Sequence, residues 1–357
     1  MKSGLLALVA GACALAMGAS AHADTFKVGV LLPSPVADVG WARQQDLGRE
    51  AMEKECGPDV KATVVDNVSE GPDAARVMNQ MMTGGAKFIV LGSFGYMNDG
   101  LRAAKQHPDV DFIHASGYKQ TKNFGTFTAR NYEGFYLGGM AAAMVTKSNT
   151  IGIVAAFAVP EVVAEVDAIG LAVQKVNPDA KVKIIWLNSW FDPPKAQQAA
   201  RALVSQGADV LFSLHQDTPS VVNVAEAEKV YVVNTSSDMS KYGPHSVLAS
   251  VTNDWTDYFV EQCKAAREGT FKGADFRGGL AAGTVKMAAW SKDLTEEQMA
   301  KIKQAEEDIK SGKQHVFAGP IKDKDGKLRV KEGENLPDPE IFGLNWLVAG
   351  LDGSIPK

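Results

Sequence analysis

Short apolar, β-branched runs alternate along this chain with longer segments whose apolar residues recur at helical spacing. This alternation restricts the fold more than any other feature. In the first half the strand-like runs cover 26–32, 62–66, 88–92 and 110–115, and helical runs stand between them at 42–54, 74–82 and 99–106. Continuous apolar strands separated by helices predict a parallel sheet that is covered by helices on both faces.

The same alternation begins again near Arg130. A helical run rich in Gly and Ala comes first, and five strand-like runs follow with helices between them: strands at 151–156, 182–187, 210–214, 230–234 and 248–251, and helices at 132–145, 161–176, 195–205 and 219–227. Two α/β halves in series predict two doubly wound lobes.

A helix at 255–267 is expected to cross back to the first half, and such crossings between lobes act as a hinge. The predicted domain boundaries are 24–130 plus about 254–290 for the first lobe and 131–253 for the second. The last segment, 291–357, carries a charged amphipathic helix at 294–311 and a Lys/Asp/Gly-rich hairpin or loop at 323–334. The sequence does not assign this segment to either lobe.

The amino end has the pattern of an export signal. Lys2 precedes an apolar run at 5–17, and the small-x-small motif AHA stands at 21–23. We therefore expect residues 1–23 to be a cleaved signal peptide and the mature protein to lie in the periplasm. Lipid attachment at Cys13 is the alternative, but the residues before it fit such a site poorly.

The overall composition is that of an ordinary globular protein, with 45% hydrophobic and 22% charged residues and a net charge of −5. It provides no basic surface for nucleic acid and no cationic face for a membrane. Cys56 and Cys263 lie far apart and lack metal-ligand spacing, so separate buried thiols are expected, although export permits a disulfide.

Ligands of doubly wound sheets bind beyond the carboxyl ends of the strands, so two lobes of this kind predict a cleft between them. The aromatic and polar residues at the strand ends are the candidates to line it: Trp41, Phe94, Ser116, Tyr118, Asn188, Trp190, Asp217 and Asp238.

Trp41 and Trp190 come from opposite halves, and closure of the lobes would bring them onto two faces of one planar ligand. Stacking of this kind contributes about 0.5–1.5 kcal/mol per aromatic pair. Asp217 and Asp238 would accept hydrogen bonds from ring N–H or amino groups, and we favour Asp238 because its neighbours are small and polar.

The alternative roles are structural. An isolated Trp is often a core residue, and an Asp after a strand is often a solvated turn residue. Phe94 and Tyr118 fit the interior of a lobe equally well. Asp192, which precedes two prolines, has the pattern of a helix N-cap.

The sequence lacks a nucleophile elbow, a phosphate-binding Gly loop and a Ser/His/Asp set, so neither an enzyme nor a cofactor is predicted. His114 and His215 have no partner at metal spacing, which argues against a metal site. A transcription regulator with the same lobes would carry a basic helix-turn-helix at its amino end, where the export signal stands instead.

The sequence resembles the basic membrane protein (BMP) family of ABC-transporter substrate-binding proteins, in its purine-binding branch. The motifs that carry the resemblance are DVGW at 38–41, GSFGY at 92–96, YEGFYLGG at 132–139, KSNTIG at 147–152, NSWFDP at 188–193, QGADV at 206–210 and SSDMS at 236–240. The resemblance implies a type I periplasmic-binding fold, a small-molecule ligand, and delivery to a permease in the inner membrane. It also implies that Trp41 and Trp190 sandwich a base and that Asp238 bonds to it.

Three positions depart from the nucleoside-binding members of that family. Ser116 stands where they have Asp, Asn253 where they have Lys, and His215-Gln216-Asp217 where they have a Gly-rich turn. Because the missing Asp and Lys could hold a ribose, we expect a free purine base: adenine, hypoxanthine or guanine. A nucleoside, another small heterocycle, or a role as a periplasmic sensor adaptor are the alternatives. The protein is expected to be a monomer.

Overall fold

A computed structural model of the chain describes residues 25–356, so the predicted signal peptide and Cys13 lie outside the described residues. The first half forms one lobe. In chain order its elements are β1 (Phe26–Leu31), α1 (Trp41–Glu55), β2 (Val60–Val65), α2 (Pro72–Thr83), β3 (Ala86–Leu91), a 3₁₀ turn (Phe94–Tyr96), α3 (Met97–Gln106), β4 (Asp111–Ala115) and β5 (Phe124–Ala129).

The second lobe follows directly. Its elements are α4 (Asn131–Val145), β6 (Thr150–Ala155), α5 (Pro160–Val176), β7 (Lys181–Trp186), α6 (Pro193–Ser205), β8 (Val210–Leu214), α7 (Ser220–Glu228), β9 (Tyr231–Ser236) and β10 (Val247–Asn253). The remaining elements are α8 (Thr256–Arg267), β11 (Asp275–Gly278), β12 (Val285–Ala288), α9 (Glu296–Lys310), β13 (Ile321–Lys322), β14 (Leu328–Val330), α10 (Asp338–Ile341) and β15 (Leu351–Asp352).

Each lobe has its own sheet. The first has six strands in the order β11-β5-β4-β3-β1-β2, all parallel. The second has seven strands in the order β12-β10-β9-β8-β6-β7-β15, and only β12 runs antiparallel to its neighbour. The order reverses inside both sheets, which confirms the predicted pair of doubly wound lobes.

Apolar strands and small helix residues hold each lobe together. The side chains of β8 are buried throughout, as expected for a strand covered on both faces. Helix α4 packs against both its sheet and α5, and small residues permit the close approach. A Cβ at Gly139 would lie 2.9 Å from the Cβ of Ala172.

The chain crosses between the lobes three times, after β5, after β10 and after β11. The crossings are bonded to one another: the Asn253 side chain donates to Asn131 at 2.7 Å, and the backbone N–H of Leu280 donates to Glu133 at 2.8 Å. Strand β12 pairs with β10, so the extension of the first lobe ends earlier than the predicted residue 290.

The carboxyl-terminal segment belongs with the second lobe. Helix α9 packs against α4, and β15 pairs with β7 at the edge of the second sheet. The predicted hairpin is β13 and β14, and the predicted amphipathic helix is α9 with a capping box at Thr295 and Gln298. No helix among residues 25–356 is long and apolar enough to cross a membrane.

Cys56 and Cys263 form a disulfide, so the expectation of separate thiols was wrong. Cys56 ends α1 and Cys263 lies in α8, two helices that pack side by side in the first lobe. This packing, which sequence separation hides, brings the two Cα atoms to 6.0 Å. Such bonds are typical of proteins outside the cytoplasm.

Candidate functional site

The carboxyl ends of the two sheets face each other across a cleft that contains about 460 Å³ of unfilled space, including the part open to solvent. The first lobe supplies Pro33, Ser34, Trp41, Gly92, Ser93, Phe94, Ala115 and Ser116, and the second supplies Val159, Glu161, Val162, Trp190, His215 and Asp217.

Trp41 and Trp190 line this one cavity from opposite lobes. Trp41 begins α1, its indole N–H donates to the Gly92 carbonyl at 2.8 Å, and its ring packs edge-on against the buried Trp255 at 5.8 Å. These contacts fix the ring beside the cleft. The side chain is half-buried, which leaves part of it free to contact a ligand.

Trp190 follows β7, and its indole N–H donates across the cleft to Glu70 at 3.3 Å. Its ring packs against Phe157, with the centroids 4.9 Å apart. The His215 ring lies near both indoles, with centroids 6.0 Å from Trp41 and 6.3 Å from Trp190. Three rings therefore surround the same space.

Two acidic residues of α5, which were not candidates from the sequence, lie at or next to the cleft: Glu161 lines it, and Glu165 contacts His215. Glu161 and Glu165 stand one helical turn apart and are 7% and 0% exposed. His215 bonds to Glu165 at 2.7 Å through Nε2, and Ser116 of the first lobe donates to Glu161. Within residues 25–356, one carboxylate oxygen of each Glu has no hydrogen-bond partner. Acidic residues within the apolar run VVAEVDAI were the available signal.

Burial and the neighbouring charges set the protonation of this cluster. Burial raises the pKa of Glu161 to about 7, with His215 opposing the rise. Burial alone would lower the pKa of His215, but the Glu165 carboxylate raises it to about 9. At neutral pH the cluster therefore holds a His215–Glu165 ion pair beside a Glu161 that is partly protonated.

In the sequence His215 has no partner at metal spacing, but in the fold two carboxylates lie close to it. Ligand atoms of Glu161, Glu165 and His215 all lie within 4.8 Å of one another, a set that could hold a cation. Sequence spacing missed it because β8 and α5 meet only in the fold. The Nε2 of His215 is already bonded to Glu165, and an ion pair accounts for that contact.

Asp217 lines the cleft but makes its bonds to the opposite lobe. Its carboxylate accepts from the Ser34 hydroxyl and from the backbone N–H of Ala42, at 3.1 Å for the latter, in the first turn of α1. Gly40 precedes that helix and supplies no capping side chain, and a Cβ there would lie 1.8 Å from the Asp217 carboxylate. Asp217 thus caps α1 from the second lobe. Burial raises its pKa to about 6 against the effect of these bonds.

Further hydrogen bonds hold the loop before α1 against the second lobe. The backbone N–H of Gly40 donates to the Ser237 hydroxyl at 2.8 Å. Asp38 accepts from the Tyr242 hydroxyl at 2.7 Å and pairs with Lys241. With the cap by Asp217, these contacts show that the two lobes are closed on each other.

The structure does not bring three of the candidate residues into this cavity. Asp238, preferred from the sequence, is exposed and bonds to the backbone N–H of Ser240, because its neighbour Ser237 takes the position that faces the other lobe. Asn188 is exposed at a backbone turn with φ of 52°. Tyr118 is 57% exposed and lines a smaller cavity nearby.

The other candidates lie where the strand ends suggested: Trp41, Trp190, Asp217, Phe94 and Ser116 line the cleft. Asp192 caps α6 by accepting from the Lys195 backbone N–H at 3.1 Å, which confirms its predicted structural role.

Comparison with known proteins agrees with this architecture. The family model Bmp, described as "ABC transporter substrate-binding protein PnrA-like", matches residues 25–318. A purine-binding protein of Brucella abortus (strain 2308) is 38% identical over 354 residues, which cover 99% of this chain and 100% of the relative. A protein of Haloferax volcanii named as an ABC-transporter glucose-binding protein is 32% identical over 341 residues, 95% of this chain and 84% of the relative.

Among solved structures, an ABC-transporter solute-binding protein from Aeropyrum pernix K1 has a TM-score of 0.70 at 17% identity, covering 84% of this chain and 93% of the other. At that identity the likeness concerns the fold, and it confirms the predicted periplasmic-binding type.

Proteins of the matched family bind a small molecule and work with a membrane permease, normally outside the cytoplasm, and they are not enzymes. The resemblance read from the sequence motifs is therefore confirmed. The chain belongs to the Bmp family of ABC-transporter substrate-binding proteins.

Proposed function

We propose that this protein is a periplasmic monomer that binds a free purine base (adenine, hypoxanthine or guanine) in its interlobe cleft. It would then deliver the base to a permease in the inner membrane. The observation that carries the proposal is the pair of indoles, Trp41 and Trp190, which line one cavity from different lobes. A flat heterocycle between them would gain stacking contacts with both lobes at once.

The polar groups of the cleft suit the edge of a neutral purine. The unpartnered oxygen of Glu161 is available to accept from a ring N–H or an amino group, and the Trp rings leave the faces apolar. Among the residues described, no lysine or arginine lines the cavity, and His215 is already bonded to Glu165, so a phosphate group would lack a free counter-charge. This argues for a base or nucleoside over a nucleotide.

Two departures from nucleoside binders support the free base. Ser116 is bonded to Glu161. Asn253 is 3% exposed, and its side chain donates to Asn131. This hydrogen bond joins two of the interlobe crossings that form the hinge. The Ser116 hydroxyl is engaged and Asn253 does not line the cleft, so neither side chain is placed to hold the hydroxyls of a ribose. The named function of the Brucella abortus relative, purine binding, agrees with this proposal.

A sugar is the second candidate, because the Haloferax volcanii relative is named for glucose binding. A pyranose carries hydroxyls around its whole rim and needs a ring of hydrogen-bonding partners, whereas Trp41, Phe94, Val159, Val162 and Trp190 make much of this cavity apolar. The lining therefore favours a heterocycle over a sugar.

Isothermal titration calorimetry tests the choice. The protein is unfolded, dialysed to remove co-purified ligand, and refolded. It is then titrated with adenine, hypoxanthine, guanine, adenosine and glucose. We expect micromolar or tighter binding of at least one base, about −8 kcal/mol or better. Adenosine should bind more weakly than adenine. Tighter binding of adenosine would overturn the free-base assignment, and binding of glucose without any purine would overturn the ligand class.

A further inference from the structure

A second, smaller cavity adjoins the ligand cleft, with about 290 Å³ of unfilled space. The two cavities have Phe94, Ser116 and Glu161 in common. The remaining lining of the second cavity is Gly117, Tyr118, Thr128, Pro160 and Phe342. A boundary of three side chains therefore separates the ligand cleft from a second, smaller space.

The boundary is closed by a hydrogen bond between the lobes. Ser116 follows β4 in the first lobe, and its hydroxyl donates to a carboxylate oxygen of Glu161 in the first turn of α5 in the second lobe. Glu161 is buried, so a ligand group that displaced Ser116 would leave a buried carboxylate oxygen without its donor, which is unfavourable.

The backbone conformation at Ser116 indicates that its side chain makes a contact that offsets an unfavourable φ. Its φ is 58°, in the left-handed region where glycine is favoured and serine is not. Glycine would relieve this conformation but would remove the hydroxyl that reaches Glu161. The hydrogen bond across the cleft accounts for serine at this position.

We infer that the Ser116–Glu161 hydrogen bond is the wall that restricts the site to unsubstituted purine bases. A ribose on the ring would extend through this boundary into the second cavity, and it could do so only by separating the two side chains. The inference rests on the proposed function and adds to it the residues that determine specificity.

The test is the ratio of the dissociation constants of adenosine and adenine, measured by calorimetry for the wild type, Ser116→Gly, Glu161→Ala and Glu161→Gln. Ser116→Gly suits the left-handed backbone and should fold, and Glu161→Ala opens the wall from the other lobe. Glu161→Gln keeps the size of the side chain and an acceptor for Ser116. Tyr118→Ala is the matched control, since it enlarges the second cavity without touching the wall.

We expect the ratio to fall by about tenfold or more in Ser116→Gly and Glu161→Ala. It should stay close to the wild-type value in Tyr118→Ala. Glu161→Gln should weaken the binding of both ligands, because Glu161 also contacts the base, and should keep their ratio above that of Glu161→Ala. An unchanged ratio in both opening variants, with adenine still bound, would overturn the wall and leave the proposed function standing. Failure of the wild type to bind any purine would overturn both.

Discussion

At the scale of single residues, the two indoles of the cleft are held in different ways. Trp41 is fixed by Gly92 and Trp255 within its own lobe, whereas Trp190 bonds across the cleft to Glu70. Trp41 is therefore in place before the lobes meet, and the Glu70 contact of Trp190 exists only when they are closed. A ligand that stacks on both rings stabilises the closed state through its contacts with each lobe.

Replacing either indole should weaken ligand binding without unfolding the protein. Trp41→Ala and Trp190→Ala each remove a stacking partner and part of the buried area, so we expect a loss of about 10- to 100-fold in adenine affinity by calorimetry. Phe191→Ala is the control, since this neighbour of Trp190 is 40% exposed and does not line the cavity. Unchanged affinity in both Trp variants would place the ligand elsewhere.

The His215–Glu165 pair should make stability depend on pH above neutrality. The folded protein raises the pKa of His215 to about 9, so the stabilisation is complete below its ordinary pKa of about 6.5 and is lost as pH rises through 9. The pKa of Glu161, raised to about 7, acts in the same direction at lower pH. Urea unfolding should therefore show a falling free energy of unfolding between pH 7 and about 9.

Glu165→Gln provides the control for this pH dependence. Without the Glu165 carboxylate, burial lowers the pKa of His215 against only the weaker effects of Glu161 and Asp217. The decline in stability above pH 7 should then become smaller. A slope equal to that of the wild type would show that another group is responsible.

At the scale of elements, helix α1 depends on the opposite lobe for its N-terminal cap. Its first turn donates to Asp217 across the cleft, and Gly40 makes room for that carboxylate. A carboxylate at a helix N-terminus satisfies free N–H groups and interacts favourably with the helix dipole. Because this cap forms only on closure, it links the conformation of the hinge to the start of the helix that carries Trp41.

Asp217→Ala should therefore favour the open state. Loss of a helix cap costs about 0.5–2 kcal/mol. Because this cap exists only in the closed state, the loss destabilises that state relative to the open one. Small-angle X-ray scattering should show a larger radius of gyration than the wild type at the same subsaturating adenine concentration. Asp192→Ala is the control, because Asp192 caps α6 within its own lobe and should lower stability only. Equal closure of Asp217→Ala and the wild type would contradict the linkage.

The disulfide joins α1 to α8 within the first lobe and closes a separation of 207 residues in sequence. Removing it with Cys56→Ser and Cys263→Ser should lower the free energy of unfolding by about 2–5 kcal/mol, as measured by urea unfolding. Adenine affinity at 25 °C should change little, since the bond lies outside the cleft and does not join the lobes. A large loss of affinity with folded protein would contradict this.

The elements also show where sequence reasoning succeeded. Strands such as β1 and β8 were predicted to within two residues because their apolar runs are continuous. β5, with the sequence FGTFTA, was missed because Gly and Thr interrupt the run, although all six residues are buried. The short strands β11, β12 and β15 have little pattern of their own and form by pairing at sheet edges.

At the scale of the whole molecule, sequence predicted the two lobes and the cleft but only part of its lining. Trp41 and Trp190 lie in or just after the connections that follow β1 and β7, where position alone predicts their surroundings. Glu161 and Glu165 lie on a helix, and helical periodicity does not reveal which face meets the other lobe. Asp238 was preferred over Asp217 because its neighbours are small and polar. In the fold Ser237 takes the position that faces the other lobe, and the sequence does not specify which residue of this turn does so.

The closed arrangement explains how binding is signalled. Contacts from Asp217, Ser237 and Lys241 of the second lobe reach the loop before α1, and the ligand cavity lies directly beneath them. Only differential affinity for the closed state shifts the equilibrium between open and closed lobes. A permease that recognises the closed surfaces would then respond to the loaded protein.

The most direct measurement is a crystal structure of the protein with adenine. We expect a purine ring between the indoles of Trp41 and Trp190, with one edge bonded to Glu161 and the Ser116–Glu161 contact intact. A base bound outside the interlobe cleft, or one that contacts the side chains of a single lobe, would contradict it.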